Sequence, residues 1–272
     1  MIRKVGVIGL GKMGLPIARH LVRHGFEVSG FDIHAPARDA AADMGVAVHA
    51  SPREVAANSE IQLILVGFDD EVLEVVRAED GLLAGAIPGS IIAVASTVGA
   101  ETMQEVRHLA AQKGIDIIDA PLCRGEPAAE SGKLLVLVGG DEAVVERCRP
   151  VLSAFGSDVF HVGEIGSGQI GKMINNLLLW ACVSANWEGL KLAEALGVDP
   201  VKLRQALLLS SGNNWALETW LLPRPMPWAE KDMAIVMEQA DKARLSLPLC
   251  GVTREVIKGI KIERGLPPPP RR

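Results

Sequence analysis

Hydrophobic and polar positions follow two patterns in succession along the chain. Through about residue 163, short β-branched runs alternate with stretches in which apolar residues recur every three or four positions, as in Gly14–His24 and Glu101–Lys113. This alternation predicts an α/β fold: a doubly wound parallel sheet of the Rossmann type, with helices on both faces. The predicted strands are Lys4–Gly9, Glu27–Asp32, Ile61–Val66, Ile91–Ser96, Ile115–Asp119, Leu134–Val138 and Val159–Val162.

The second pattern is helical throughout. The helical period continues over Gly168–Leu196, Pro200–Leu209, Glu230–Ala243 and Leu249–Lys261, with no strand-like interval. We therefore predict a dinucleotide-binding domain over residues 1–164 and an all-α domain for substrate binding and dimerisation over 165–266. The proline-rich residues 267–272 are predicted to be a disordered tail.

Composition excludes several classes of protein. The net charge of −5 is spread along the chain without a basic stripe, so nucleic acid is not an expected partner. The four cysteines form no C-x-x-C pair and have no histidine cluster nearby, so neither a metal site nor a disulfide framework is expected. No apolar run approaches the length that spans a bilayer. We expect a cytoplasmic protein without a membrane partner.

A glycine-rich turn connects the first predicted strand to the first predicted helix. Its pattern is Gly9-x-Gly11-x-x-Gly14, with Leu10 and Met13 at two of the intervening positions. In this context the first glycine permits the tight turn, the second lets the backbone approach a pyrophosphate, and the third lets helix and strand pack closely. The free N–H groups at the helix start attract the anion. The turn predicts a nicotinamide dinucleotide as cofactor.

Asp32 ends the second predicted strand. A carboxylate there accepts hydrogen bonds from a ribose 2′-hydroxyl and repels a 2′-phosphate, which favours NAD over NADP. Arg38, six residues later, could accommodate a 2′-phosphate, so NADP stays possible. The alternative is that Asp32 only caps the helix predicted to start near Pro36.

A lysine and two asparagines share one face of the long predicted helix. Lys172, Asn175 and Asn176 stand at i, i+3 and i+4 among apolar residues. A solvated polar stripe is one interpretation. Polar groups in such company are costly to bury without partners, and ligand sites concentrate where domains meet, which favours a functional site in which the lysine exchanges a proton.

Several of these segments occur in an order typical of a known family. The chain resembles the β-hydroxyacid dehydrogenases, which include 3-hydroxyisobutyrate dehydrogenase, tartronate semialdehyde reductase and, more distantly, 6-phosphogluconate dehydrogenase. The segments that carry the resemblance are Gly9 to Gly14, Ser96-Thr97, Asp119-Ala120-Pro121-Leu122-Cys123-Arg124-Gly125 (family pattern D-A-P-V-S-G-G), Gly166-x-Gly168 with Lys172 and Asn175-Asn176 (family pattern G-x-G-x-x-x-K-x-x-N-N), and Lys231-Asp232.

The resemblance implies a function and residue roles. The chain would transfer hydride between nicotinamide and a small anionic hydroxy acid or semialdehyde. Lys172 would be the catalytic acid/base, and Asn176 would hold the substrate hydroxyl or carboxylate. Asn175 is a candidate for substrate binding, with a structural role in the helix as the alternative. Lys231 would bridge cofactor and substrate, with an exposed lysine at a helix start as the alternative. Ser96 and Thr97 would lie next to the nicotinamide, and the family's assembly implies a homodimer or homotetramer.

The chain departs from the family in the substrate loop. Cys123 replaces a serine, and Arg124 replaces a glycine before Gly125. Cysteine is a poor hydrogen-bonding group, whereas arginine offers a planar fork that suits a carboxylate. We therefore predict that Arg124 contacts the substrate anion, with solvent exposure as the alternative. Trp215, in a tryptophan-rich segment, is a further candidate for the substrate pocket.

Two other functions share this architecture. An imine reductase would have the same fold but usually lacks the lysine, and a non-catalytic dinucleotide-binding protein would keep the fold without turnover. Lys172 and the intact glycine turn favour the dehydrogenase.

Overall fold

The structure is a computed structural model that describes residues 2–269. Within this range the strands are β1 Lys4–Ile8, β2 Glu27–Phe31, β3 Ala47–Val48, β4 Ile61–Ile64, β5 Ile91–Val94, β6 Asp116–Asp119, β7 Leu122–Cys123, β8 Leu134–Gly140 and β9 Gly156–Gly163. The helices are α1 Gly14–Arg23, α2 Ala35–Ala42, α3 Pro52–Ala57, α4 Asp69–Arg77, α5 Leu82–Gly85, α6 Ala100–Ala111, α7 Gly125–Ser131, α8 Glu142–Leu152, α9 Ser167–Ala195, α10 Pro200–Leu207, α11 Trp215–Glu218, α12 Ala229–Lys242 and α13 Pro248–Glu263.

All the strands form one sheet, ordered β3-β2-β1-β4-β5-β6-β8-β7 with β9 beside β8. The strands from β1 to β6 are parallel, as the alternating pattern predicts. The order 3-2-1-4-5-6 is that of the Rossmann fold, in which ligands bind outside the carboxyl ends of the strands. The predicted doubly wound fold is confirmed.

The far side of the sheet departs from the prediction of a wholly parallel sheet. β8 runs antiparallel to β6 and to β7, and β9 is parallel to β8. The physical reason is the short α7, which carries the chain back along the same edge of the sheet, whereas a parallel partner needs a longer crossover. β6 and β7 pair with β8 in one continuous register, so the predicted substrate loop runs along β8 from Asp119 to Cys123.

The central strands are buried on both faces. Every residue of β4 and β5 is buried, and alternate residues enter different apolar clusters: Ile61 and Leu63 lie in one, Ile64 and Val94 in the other. This follows from the two-residue period of a strand. It explains why β5 is a continuous apolar run in the sequence and why β4 is apolar except for the buried Gln62.

The chain divides after Lys172 into two compact units. The second contains the rest of α9 and α10 to α13, so it is all helical as predicted. Its core includes Trp180, Met233, Cys250 and Ile257. An almost completely buried ion pair joins α12 to α13, where Lys261 Nζ lies 2.6 Å from Glu230 Oε2. The boundary that we place after residue 164 remains a prediction; α9 begins at Ser167, shortly beyond it.

The predicted tail lies partly outside the described residues, since the structure ends at 269 and residues 270–272 are beyond it. Residues 267–269 have no regular secondary structure. Across residues 2–269, none of the helices combines the length and the apolar character that a membrane crossing requires.

Candidate functional site

The three glycines of the turn after β1 have three different environments. A Cβ on Gly9, whose φ is +92°, would collide with the carbonyl oxygen of Leu65. A Cβ on Gly14 would overlap the carbonyl oxygen of Gly9. A Cβ on Gly11, in contrast, would meet no atom within 4 Å. Gly9 and Gly14 are therefore required by the fold itself. Gly11 leaves a backbone surface that is open to a ligand.

The start of α1 fits a phosphate group. Among the described residues, no side chain caps this helix at Met13. The N–H groups of the first turn of a helix attract anions, and here they adjoin the open backbone at Gly11. The turn from Gly9 to Gly14 thus has both the space and the donors for a dinucleotide's phosphates.

Alanine at position 11 is expected to separate cofactor binding from folding. The new methyl group fits the protein alone, so the melting temperature of Gly11→Ala should stay at the wild-type value. The methyl group would occupy the open space at the Gly11 backbone where the phosphates bind. We therefore expect NAD(P)H affinity to fall by roughly tenfold or more, which corresponds to about 1.4 kcal/mol. Cofactor fluorescence titration measures this. Gly259→Ala on α13, where a Cβ also meets nothing within 4 Å, is the matched control. Wild-type affinity in Gly11→Ala would contradict this assignment.

Asp32 is bonded to the glycine-rich turn. Its carboxylate accepts the backbone N–H of Leu10 at 2.7 Å and that of His34 at 2.8 Å. Arg38 donates to the backbone oxygen of Asp32 at 2.7 Å. Asp32 therefore fixes the turn and orders the chain before α2, while Arg38 lies at the same strand end. The candidate carboxylate and the candidate cation occur together at the carboxyl end of β2.

Ser96 uses its hydroxyl inside the fold. The buried side-chain oxygen accepts the N–H of Val66 at 2.9 Å and donates to the carbonyl of Ile64 at 3.3 Å. Ser96 thus ties the chain after β5 to the chain after β4, and a nicotinamide contact by this hydroxyl would require these bonds to change. Thr97, the next residue, is half-buried.

Asp119, at the end of β6, is a buried carboxylate that holds the start of α9. It accepts the backbone N–H of Gly166 at 2.6 Å and that of Gln169 at 2.7 Å. Burial raises the pKa of Asp119, and these N–H donors act in the opposite direction. A Cβ on Gly139 or on Gly168 would come too close to the carboxylate oxygens, which explains both glycines.

The structure connects two segments that the sequence analysis treated separately. The Asp119 end of the substrate loop binds the Gly166-x-Gly168 segment before Lys172. Gln169 was not a candidate, although it is buried and also bonds the chain after β5. The sequence signal that could have identified it is a glutamine inside the Gly166-x-Gly168 to Lys172 motif, beside the apolar Ile170.

The positive charge of Lys172 acts on the thiol of Cys123. Burial raises the pKa of the Cys123 thiol, and the positive charges of Lys172 and Arg124 oppose this rise. Lys172 is half-buried in the second turn of α9, and Cys123 is buried in β7. The structure thus brings the predicted substrate loop to the predicted catalytic lysine.

Arg124 has partners other than the predicted one. Its guanidinium lies 2.6 Å from Asp158 Oδ2 and also donates to Ser157 Oγ and the Lys133 carbonyl. Arg124 lowers the pKa of Asp158. Its backbone has φ +81°, a left-handed conformation that suits the glycine usual in the family. A substrate contact would require this ion pair to open, so the structure favours the alternative of an exposed surface residue, and the substrate role of Arg124 remains a prediction.

Glycine at position 124 is therefore expected to leave substrate binding almost unchanged. Arg124→Gly removes a left-handed non-glycine residue, whose conformation costs about 1–2 kcal/mol, and loses a surface ion pair that salt screens. We expect an unchanged or higher melting temperature and a KM within about threefold of wild type, well under one decade of affinity. Asp158→Asn breaks the same ion pair without altering the loop, and its KM should equal that of Arg124→Gly. A tenfold rise of KM in Arg124→Gly, with no such rise in Asp158→Asn, would support the prediction that Arg124 contacts the substrate.

The remaining candidates belong to the second unit. Asn175 donates to the side-chain oxygen of the buried Asn176 at 3.0 Å, so these two amides orient each other. Lys231 Nζ lies 5.4 Å from the centre of the Trp228 ring. Trp215 begins α11, is 47% exposed and stacks with Arg224. Their substrate and cofactor roles remain predictions.

Comparison with known proteins identifies the family of the chain. The protein-family model for the NAD-binding domain of 6-phosphogluconate dehydrogenase matches residues 4–163. The model described as the NAD-binding domain of NADP-dependent 3-hydroxyisobutyrate dehydrogenase matches residues 166–265. Between them the two models cover nearly the whole chain.

Individual relatives match along most of their length. The 2-(hydroxymethyl)glutarate dehydrogenase of Eubacterium barkeri is 32% identical, with 94% of this chain and 88% of the relative covered. The 3-hydroxyisobutyrate dehydrogenase of Pseudomonas aeruginosa is 31% identical, with 93% and 90% covered. The structure of Mycobacterium tuberculosis 3-hydroxyisobutyrate dehydrogenase with L-serine has a TM-score of 0.89 at 29% identity, with 98% and 97% covered. With NAD or NADP as its cofactor, the chain belongs to the β-hydroxyacid dehydrogenase family of oxidoreductases that act on CH–OH groups.

Proposed function

We propose that the chain interconverts a short β-hydroxy acid and its semialdehyde, with Lys172 as general acid/base. When bound, the nicotinamide supplies the ring carbon that takes or returns the hydride. In the oxidation, Lys172 Nζ accepts the proton of the substrate hydroxyl, and in the reduction it returns that proton to the carbonyl oxygen. The turn from Gly9 to Gly14 binds the cofactor phosphates.

The observation that supports Lys172 most strongly is the state of the other polar groups in this part of the first unit. The carboxylate of Asp119 is occupied by backbone N–H groups. The hydroxyl of Ser96 is bonded to the backbone after β4. The raised pKa of Cys123 keeps its thiol neutral at neutral pH. Lys172 is the group here whose chemistry suits proton transfer.

The substrate class follows from the relatives. Two of them are named as dehydrogenases of 2-(hydroxymethyl)glutarate and 3-hydroxyisobutyrate, and the third was solved with L-serine. Each of these molecules has a primary alcohol on the carbon next to the carbon that bears a carboxylate. We therefore assign the chain a substrate with this HO–CH2–CH–COO− unit. The resemblance assigns Asn175, Asn176, Cys123 and the backbone of Gly125 to this substrate, and the tryptophan-rich segment adds Trp215.

NADH is the cofactor that we favour. Asp32 is placed at the end of β2, where a carboxylate accepts a ribose 2′-hydroxyl and repels a 2′-phosphate. The carboxylate is partly used by Leu10 and His34, and the nearby Arg38 offers a phosphate partner, so the discrimination is expected to be modest. Lys231 is assigned to the cofactor's nicotinamide side by resemblance.

A cofactor-linked screen tests the proposal. Semialdehydes with the matching carbon skeleton, including tartronate semialdehyde, are supplied with NADH or NADPH, and cofactor oxidation is followed by absorbance. We expect turnover of at least one β-hydroxy acid and semialdehyde pair, with a higher kcat/KM for NADH. Turnover of cyclic imines alone would instead make the chain an imine reductase.

We also propose that the chain assembles at least as a dimer. The second unit exposes large apolar side chains along α9, where Leu178 and Leu192 are each 61% exposed, and directly after it, where Leu196 is 72% exposed. Exposed apolar residues in this number favour burial against another surface. Light scattering at micromolar concentration is expected to give a dimer or tetramer mass, and a monomer mass would contradict the proposal.

A further inference from the structure

Gln169 makes a two-point contact with the loop after β5. Its side-chain nitrogen donates to the carbonyl oxygen of Ser96 at 2.8 Å, and its side-chain oxygen accepts the N–H of Val98 at 3.2 Å. The residue is only 3% exposed. The two bonded positions flank Thr97, so both ends of one amide hold the backbone on either side of this residue.

We propose that Gln169 is a positioning residue that fixes the distance between the Thr97 loop and Lys172. This inference rests on the proposed function, because it takes Lys172 as the group that moves the proton. Lys172 follows Gln169 by three residues in the same helix, so a shift of the loop relative to Gln169 is also a shift relative to Lys172.

The elements on both sides of Gln169 are themselves fixed. Its own backbone N–H is bonded to Asp119 on β6 at 2.7 Å, which holds the helix. Beyond Val98, the N–H of Gly99 is bonded to Asp69 on α4 at 2.8 Å, which holds the far end of the loop. The glutamine amide therefore joins two parts that each have their own anchoring hydrogen bond, and we expect its loss to affect their separation more than the internal structure of either.

The hydrogen-bonding pattern requires an amide. One atom must donate to a carbonyl and the other must accept from an N–H, which a glutamine does and an ionised carboxylate cannot, since it only accepts. A protonated carboxyl group, however, has one O–H donor and one carbonyl acceptor. Gln169→Glu should therefore reproduce both bonds when the introduced carboxyl is protonated and lose the bond to Ser96 when it ionises.

This difference gives a pH test. Burial and the charges of Asp119 and Asp69 raise the pKa of the introduced carboxyl, and Lys172 lowers it. We expect the kcat of Gln169→Glu, divided by the wild-type kcat at each pH, to approach one in mild acid. The ratio should fall about 10- to 100-fold as the pH rises, the size of effect that a misplaced catalytic group produces. KM for the cofactor should change much less than kcat.

Gln169→Met and a matched control complete the experiment. The methionine variant has neither hydrogen bond, so its kcat ratio should be low at every pH. Gln62→Met removes another buried glutamine of the same unit. Gln62 lies in β4, and its side-chain nitrogen donates to the Ser59 carbonyl at 3.1 Å. The Gln62→Met variant should leave kcat and its pH profile at wild-type values. If Gln169→Met does not fold, Gln169→Glu decides alone, because it keeps both bonds in acid.

The outcomes separate this inference from the proposed function. A kcat ratio for Gln169→Glu that does not vary with pH, in an enzyme that Lys172→Ala inactivates, would overturn the positioning role and leave the function in place. Full turnover in Lys172→Ala would instead remove the proposed function. A pH-dependent ratio together with an inactive Lys172→Ala supports both.

Discussion

Replacing Lys172 with alanine is expected to lower kcat by roughly 10²- to 10⁴-fold, the usual contribution of a positioned general acid or base. The hydroxyl proton would then have to leave to solvent, while the phosphates of the cofactor still bind at the Gly9 to Gly14 turn. We therefore expect NAD(P)H affinity to stay near the wild-type value. Steady-state kinetics on the best substrate of the screen, with a cofactor titration, measures both quantities.

Lys172→Arg separates proton transfer from charge. Arginine keeps the positive charge beside Cys123 but does not release a proton under ordinary conditions. Its kcat should be reduced about as far as that of the alanine variant. Lys113→Ala, at an exposed position just after α6, is the matched control and should behave as wild type. Near-wild-type turnover in Lys172→Arg would show that the lysine acts only through its charge.

Asp119→Asn is expected to have the largest effect on stability. The amide replaces one of two acceptor oxygens by a donor, which then faces the backbone N–H of Gly166 or of Gln169. Losing a charged hydrogen bond and leaving a buried N–H unpaired together cost about 2–4 kcal/mol. We also expect kcat to fall, because the start of α9 loses the contact that places Lys172. Denaturant unfolding and kinetics on the same preparation measure the two effects.

Asp116 provides the control on the same strand. It pairs with Arg147 at the surface, where both side chains are well exposed, so Asp116→Asn should cost less than about 1 kcal/mol and leave kcat unchanged. Equal destabilisation by the two substitutions would mean that the bonds from Asp119 to α9 have no special weight.

The sequence predicts the central part of the fold well because burial there is nearly complete. The seven predicted strands all occur, since runs such as Ile61–Ile64 are buried on both faces and stand out against the helical period. The glycine turn is also predictable, because Gly9 and Gly14 are demanded by steric contacts that no other residue tolerates. Local physical constraints leave a local signal.

Other features depend on residues that are far apart in the chain. β3 and β7 are only two residues long, too short for a period to be visible. The antiparallel direction of β8 depends on how α7 returns the chain. The ion pair of Arg124 with Asp158 spans 34 residues, and the bonds of Asp119 to α9 span up to 50. A sequence pattern contains the residue types but not these pairings.

Transfer of deuterium tests the central claim most directly. The cofactor is supplied as NADH with deuterium on both faces of nicotinamide C4, the semialdehyde is reduced, and the product is analysed by mass spectrometry. The account predicts that the hydroxy acid carries deuterium on its alcohol carbon in the wild-type protein and that Lys172→Ala forms this product far more slowly. A product free of deuterium with cofactor labelled on both faces of C4, or equal rates in the two proteins, would contradict it.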